Sequence, residues 1–173
     1  PEAQLDRFLL KVDVGYAGLN DLMEIIDRTT GAETPVASAI VTGERILEMQ
    51  ELVRSVVVAP HVKQYAARLV LATHPETDTA AGGPNGPTNR YVRCGVSPRG
   101  AQALILAGKV RALTAGRFHV SYQDIQDVAL SCLRHRVLLN FEAEADRVDA
   151  DALVAEIMKL TPTQPTELAG LNK

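Results

Sequence analysis

Ser97-Pro98-Arg99-Gly100-Ala101-Gln102-Ala103-Leu104-Ile105-Leu106-Ala107 opens the segment on which the fold turns. Ser97 brings a side-chain oxygen to the free N–H groups of a helix start. Pro98 suits the first helical position, because its missing N–H has no partner to lose there. Apolar residues at 103, 104, 106, 107, 110 and 113 give this helix a broad buried face as far as Thr114, and Gly116 ends it. Ser121-Tyr-Gln-Asp124 then reads as a capping box with Asp at its third position. It leads a helix that carries Ile125, Val128, Ala129, Cys132 and Leu133 on one face.

Outward from this pair the reading stays helical. Val62 to Thr73 places Val62, Tyr65, Ala66, Leu69, Val70 and Ala72 mostly at three- and four-residue spacing. Leu19 to Arg28 has the same stripe, with Asn20 or Asp21 as its expected cap and Gly31 as its stop. Thr42-Gly-Glu-Arg45 begins another helix, and Asp151 to Leu160 forms the last. Three short extended stretches are expected: Leu9 to Val14, Val56 to Pro60, and Arg134 to Phe141. Residues 75–90, rich in Gly, Pro and Thr, read as a mobile surface loop. They lack the Gly-Lys-Ser/Thr ending of a phosphate loop. The tail from Thr161 reads as frayed.

Composition narrows the class. The 173 residues are 46% hydrophobic and 23% charged, and their aromatics are four Tyr and three Phe, with no Trp. A core built from Leu, Val, Ile and Ala favours helical packing. A net charge of −3 argues against nucleic-acid or anionic-membrane partners, and no apolar run approaches the roughly 20 residues a membrane span needs. Cys94 and Cys132 are too few for a disulfide scaffold. They read as free buried thiols, with a single bridge as the alternative, and a cytoplasmic location is the expectation. The chain starts at Pro1 without Met, directly in an amphipathic segment leading to an extended run, which predicts the C-terminal portion of a larger protein.

Little in the chain reads as a self-contained catalyst. His61, His74, His119 and His135 lie on different elements without a metal-ligand spacing, so no metal site is expected, and no Ser or Cys occupies a nucleophile elbow. Two arginines stand out by position. Arg99 is the second residue of its helix, where the macrodipole disfavours a cation but free N–H groups attract an anion. It either grips a ligand phosphate or extends to solvent or to a nearby carboxylate, and the latter is the commoner case. Arg7, in Leu5-Asp6-Arg7-Phe8, is expected to point outward with Asp6 while Leu5 and Phe8 are buried. Such an Arg serves as a surface ion-pair partner or as an arginine finger in a neighbour's phosphate site. Arg134-His135-Arg136 reads as a basic cap on a helix C-terminus.

Together these pieces resemble the MoxR family of AAA+ ATPases. Pro1-Glu-Ala-Gln-Leu-Asp-Arg-Phe8 looks like the end of that family's AAA+ core, and Tyr65-Ala-Ala-Arg-Leu-Val-Leu-Ala-Thr-His74 like the first long helix of its lid. Gly95-Val-Ser-Pro-Arg-Gly-Ala-Gln-Ala-Leu104 resembles its sensor-2 motif, and Gly116 through Arg136 the rest of the lid. The resemblance implies a mainly α fold: the AAA+ C-terminal helical lid bundle with short β elements, preceded by the last helix–strand segment of the core. The implied segments are residues 1–16 for the end of the core, 17–60 for connecting helices, 61–160 for the lid and 161–173 for a flexible tail.

For the full-length protein the resemblance implies ATP and Mg²⁺, a ring oligomer, usually a hexamer, and chaperone-like maturation or metal-cofactor insertion of client proteins. Partners bearing von Willebrand A domains are among the implied clients. Arg7 would be the arginine finger acting in trans and Arg99 the sensor-2 residue. No Gly-x-x-x-x-Gly-Lys-Ser/Thr loop or acidic Mg²⁺-holding strand lies within these residues, so this stretch alone is expected to be inactive and without bound cofactor. Ala17 replaces a common Pro, His74 stands where Arg is frequent, and Gly100 replaces the usual Ala. The competing expectation is a free-standing helical interaction or regulatory module with no nucleotide role.

Overall fold

The computed structural model of the chain describes residues 2–32 and 36–164. The chain divides into two compact units, residues 1–11 with 52–173, and residues 12–51.

The larger unit is built on the helix pair identified first. Helix α6 spans Pro98–Thr114 and packs most extensively on α7, Tyr122–Leu133. Helix α4 (Pro60–Leu71) lies against α6, and α9 (Ala150–Leu160) against α7. Their inner faces bury Tyr65, Leu69, Leu104, Ile125, Leu133, Leu153 and Ile157 almost completely. Ser97 caps α6 as its sequence predicts, its Oγ accepting the Arg99 N–H at 3.2 Å. The Ser121 box also forms. Asp124 accepts the Ser121 N–H at 2.8 Å and is held between two nitrogens of Arg117, at 2.6 and 2.7 Å.

The buried face of α6 is smaller than its hydrophobic pattern suggests. Gly100, Ala103, Leu104, Ala107, Gly108 and Ala112 are buried, whereas Leu106 and Val110 are exposed. Close approach selects small residues here. A Cβ on Gly108 would stand 2.9 Å from Ile125 Cδ1 and 3.2 Å from Val120 Cγ1.

Several expected elements change character. Leu9 to Val14 forms no strand; in its part within the larger unit, the Lys11 N–H donates to Ser131 O at 2.9 Å and Leu9 O accepts from Arg136. The helix–strand ending expected for the core segment is thus a four-residue helix, α1 (Glu2–Leu5), followed by irregular backbone. An edge with one backbone bond cannot sustain a ladder. The small sheet lies elsewhere, with β1 (Val92–Cys94) antiparallel to β2 (Leu138–Leu139). Val57 makes an isolated parallel bridge to His119.

The stretch read as a mobile loop, 75–90, is a packed turn. It contains a 3₁₀ turn at Gly83–Asn85 and begins α5 (Pro87–Tyr91). Ala80, Ala81 and Thr88 are buried, and Thr88 Oγ1 donates to Ala72 O at 2.8 Å. Its glycines supply tight turning, as the φ of +78° at Gly82 requires. Phe141 begins another short helix, α8 (Phe141–Ala145), capped by Asn140. Of the expected tail, Thr161 is buried and Arg68 donates to Thr163 O at 2.8 Å; residues 165–173 lie outside the described residues.

The smaller unit holds α2 (Leu19–Thr30) and most of α3 (Gly43–Ser55). Gly18, rather than Asn20 or Asp21, occupies the N-cap of α2, and the Asp21 carboxylate accepts the Gly18 N–H at 3.3 Å. Neither helix has a buried residue.

Candidate functional site

Arg99 enters the site through the geometry of α6. A Ser97 cap with Pro98 at the first turn fixes its backbone at the positive end of the helix. Its guanidinium is about half exposed, at 52%, and Nη1 lies 3.4 Å from Asp6 Oδ2. The same carboxylate accepts from Ser97 Oγ at 2.9 Å. The anion at this helix start is therefore Asp6 of the chain itself, the carboxylate partner that positional reasoning allowed for Arg99.

Asp6 and Arg7 do not share an environment. The orientation expected for Leu5-Asp6-Arg7-Phe8 holds for Arg7 but not for the other three: Leu5 is 53% and Phe8 63% exposed, while the Asp6 side chain retains only 22%. A polar clamp, not apolar burial, docks this segment. Arg7 is exposed, and among the described residues no carboxylate pairs with its guanidinium.

The clamp is Arg136, whose side chain is 2% exposed. Its Nε donates to Asp6 Oδ1 at 3.2 Å. Nη2 donates to the carbonyls of Asp6 at 3.0 Å and Phe8 at 2.6 Å. Nη1 donates to Leu9 O at 3.2 Å and to Cys132 O. All five guanidinium N–H groups are thereby used, which is how a buried cation offsets its lost hydration. The bond to Cys132 O satisfies the end of α7, the capping role that the basic triplet suggested. Arg134, its neighbour, pairs instead with Asp151 at 2.7 Å.

His135 adds a second support. Its Nε2 donates to Phe8 O at 3.0 Å, which leaves Nδ1 buried without a hydrogen-bond partner. Burial lowers its pKa, the Phe8 carbonyl raises it, and the adjacent Arg136 charge lowers it further. The balance favours the neutral imidazole. Asp6, Cys94, Gly95, Ser97, His135 and Arg136 line a cleft of about 270 Å³ beside the α6 start.

Three features of this region escape sequence reasoning. Asp6 is an anchor rather than an outward group, Arg136 reaches back across more than a hundred residues, and His135 holds the same carbonyl. The available signal was the clustering of Arg134-His135-Arg136 directly after a helix whose last carbonyls need one cation, not three. The two cysteines are free: Cys132 is buried and its thiol is pushed up to about 11 by desolvation, whereas Cys94 is exposed rather than buried. Among the described residues no group of His, Cys, Asp and Glu is arranged to hold a metal ion, and no helix is long and apolar enough to cross a membrane.

The chain is similar to several known proteins. Residues 88–157 match the family model of the AAA lid domain. Chaperone MoxR1 of Mycobacterium tuberculosis is 34% identical over 159 residues, which cover 92% of this chain and 41% of that protein. The uncharacterized protein YeaC of Bacillus subtilis is 34% identical over 163 residues, covering 91% and 46%. A crystal structure described as a "putative ATPase" from Cytophaga hutchinsonii superposes with a TM-score of 0.84 at 28% identity, covering 94% of this chain and 48% of that one. The chain thus spans less than half the length of each of these proteins.

Proposed function

The chain belongs to the MoxR family of AAA+ proteins and carries the AAA lid, and from that premise we propose that it supplies the lid and arginine-finger portion of a ring-forming ATPase. In this reading residues 1–16 end the AAA+ core, 17–60 connect, and 61–160 form the lid. Arg7 reaches the γ-phosphate of ATP held by the neighbouring subunit of the ring. Arg99 touches nucleotide phosphate as sensor 2 and ties nucleotide state to lid orientation. ATP and Mg²⁺ are cofactors of the full-length protein, which acts as a hexamer in the cytoplasm. Its clients are proteins awaiting maturation or metal-cofactor insertion, von Willebrand A domain proteins among them.

The observation that carries this reading is the contrast inside one dipeptide. Asp6 is anchored to the lid while the adjacent Arg7 is exposed and without a carboxylate partner among the described residues. A guanidinium held out on a fixed backbone, with its donors uncommitted, is prepared to meet phosphate. In phosphoryl transfer most of the catalysis is positioning and charge stabilisation, and a finger contributes where negative charge spreads over the transferred group. Arg99 is suited to the second role by different physics. Its planar fork stands half-exposed at the positive end of α6, and its contact to Asp6, at 3.4 Å, is long enough to yield to a phosphate.

ATP turnover by the intact protein tests both assignments. Arg7→Ala is expected to reduce kcat on the order of 10³-fold, the effect of a finger. Arg99→Ala is expected to weaken turnover with a change in the apparent affinity for ATP. Unchanged turnover in both variants overturns the assignment and leaves a helical interaction module without a nucleotide role.

A further inference from the structure

We propose that Arg136 is the positioning residue for Arg7: a side chain of the lid, at the end of α7, sets where the finger points. The proposal rests on the reading of Arg7 as a finger and extends it to a residue that touches no nucleotide. The geometry is specific to that task. One nitrogen of Arg136, Nη2, donates to the carbonyls of both Asp6 and Phe8, the two residues that flank Arg7. The remaining nitrogens hold the Asp6 carboxylate and Leu9 O on one side and Cys132 O of the lid on the other. His135 holds Phe8 O as well, and the Lys11 N–H closes onto Ser131 O.

The backbone on either side of Arg7 is thus fastened to the α7 terminus by bonds that leave the Arg7 side chain exposed. Apolar packing plays little part, since Leu5 and Phe8 are themselves exposed. The consequence is directional. A lid that turns with its own nucleotide carries α7, and with it the backbone of a finger that serves the neighbour's nucleotide. Asp6 also contacts Arg99, so the residue reading one site and the segment acting on the next share a carboxylate. A finger misplaced by about 1 Å loses on the order of 10²-fold in rate.

The test is a double-mutant cycle on ATP turnover by the intact protein, with Arg7→Ala, Arg136→Gln and the pair. Arg136→Gln is expected to lower kcat about 10²-fold with KM for ATP changed less than about twofold, because the finger acts on the transition state rather than on ATP binding. The pair is expected to be no slower than Arg7→Ala alone. A residue that merely holds the lid together would add its loss to that of Arg7→Ala, and such additivity overturns the proposal, as does an undiminished kcat in Arg136→Gln. If Arg136→Gln fails to fold, Asp6→Asn takes its place in the cycle, with a smaller fall in kcat and the same non-additivity expected. Full turnover in Arg7→Ala instead removes the finger reading itself, so the two failures are told apart.

Discussion

Helices α2 and α7 have equal length and the same kind of sequence, yet they end in opposite states. Both run for 12 residues with apolar positions at three- and four-residue spacing. In α7, Ile125, Ala129, Cys132 and Leu133 are fully buried; in α2, Leu22, Met23, Ile25 and Ile26 remain 48–56% exposed. An amphipathic pattern therefore specifies a helix with one apolar face but does not supply the surface that covers it. What covers α7 is a neighbour of complementary shape, the small-residue face of α6.

This contrast can be broken by measuring thermal or denaturant unfolding of variants in each region. Leu104→Ala removes a fully buried side chain between α6 and its neighbours and is expected to cost about 2–5 kcal/mol. Asp124→Ala strips a buried carboxylate from Arg117 and Ser121 and is expected to cost about 3 kcal/mol. It also removes a pH signature. The Arg117 guanidinium and the Ser121 bonds hold the Asp124 carboxyl well below its ordinary value of 3.8. Below that pH the unfolded chain binds a proton that the fold does not, so stability present at neutral pH is lost as pH falls through and below 3.8. Acid titration of unfolding in Asp124→Ala should show that part of the slope missing.

Gly108→Ala is expected to destabilise by about 1–2 kcal/mol although alanine is the better helix former, because its methyl group meets Ile125. A stabilised variant would show that α6 and α7 have room between them. Smallest of all, Ile26→Ala in α2 is expected to change stability by no more than about 0.5 kcal/mol in this chain. A larger loss would mean that the face of α2 is covered in solution.

The helical scaffold was legible because local and tertiary signals agreed. Ser97, Pro98 and the Ser121–Asp124 box mark helix starts by backbone chemistry that needs no distant partner, and α6 and α7 begin where they place them. The elements misread were those whose state depends on residues far along the chain. Residues 9–14 look like a strand by alternation but lack a partner, while Val92–Cys94 becomes one because Leu138–Leu139 lies beside it. The Gly- and Pro-rich stretch was misjudged because turn residues report tight bending, not exposure. At the proposed site, Arg7 and Arg99 stood out by position, and Asp6 lies next to the one and in contact with the other. The clamp that relates them did not stand out, since nothing local tells Arg136 to prefer the carbonyls of residues 6, 8 and 9 over solvent.

Gly100 carries a consequence for how such sequences change. A methyl group there would lie 2.1 Å from Val96 Cγ1 and 3.5 Å from the Arg136 stem. A relative with alanine at position 100 would therefore need a smaller or differently turned side chain at position 96. Swapping either one alone between such relatives should yield a poorer protein than either parent, and swapping both should restore it.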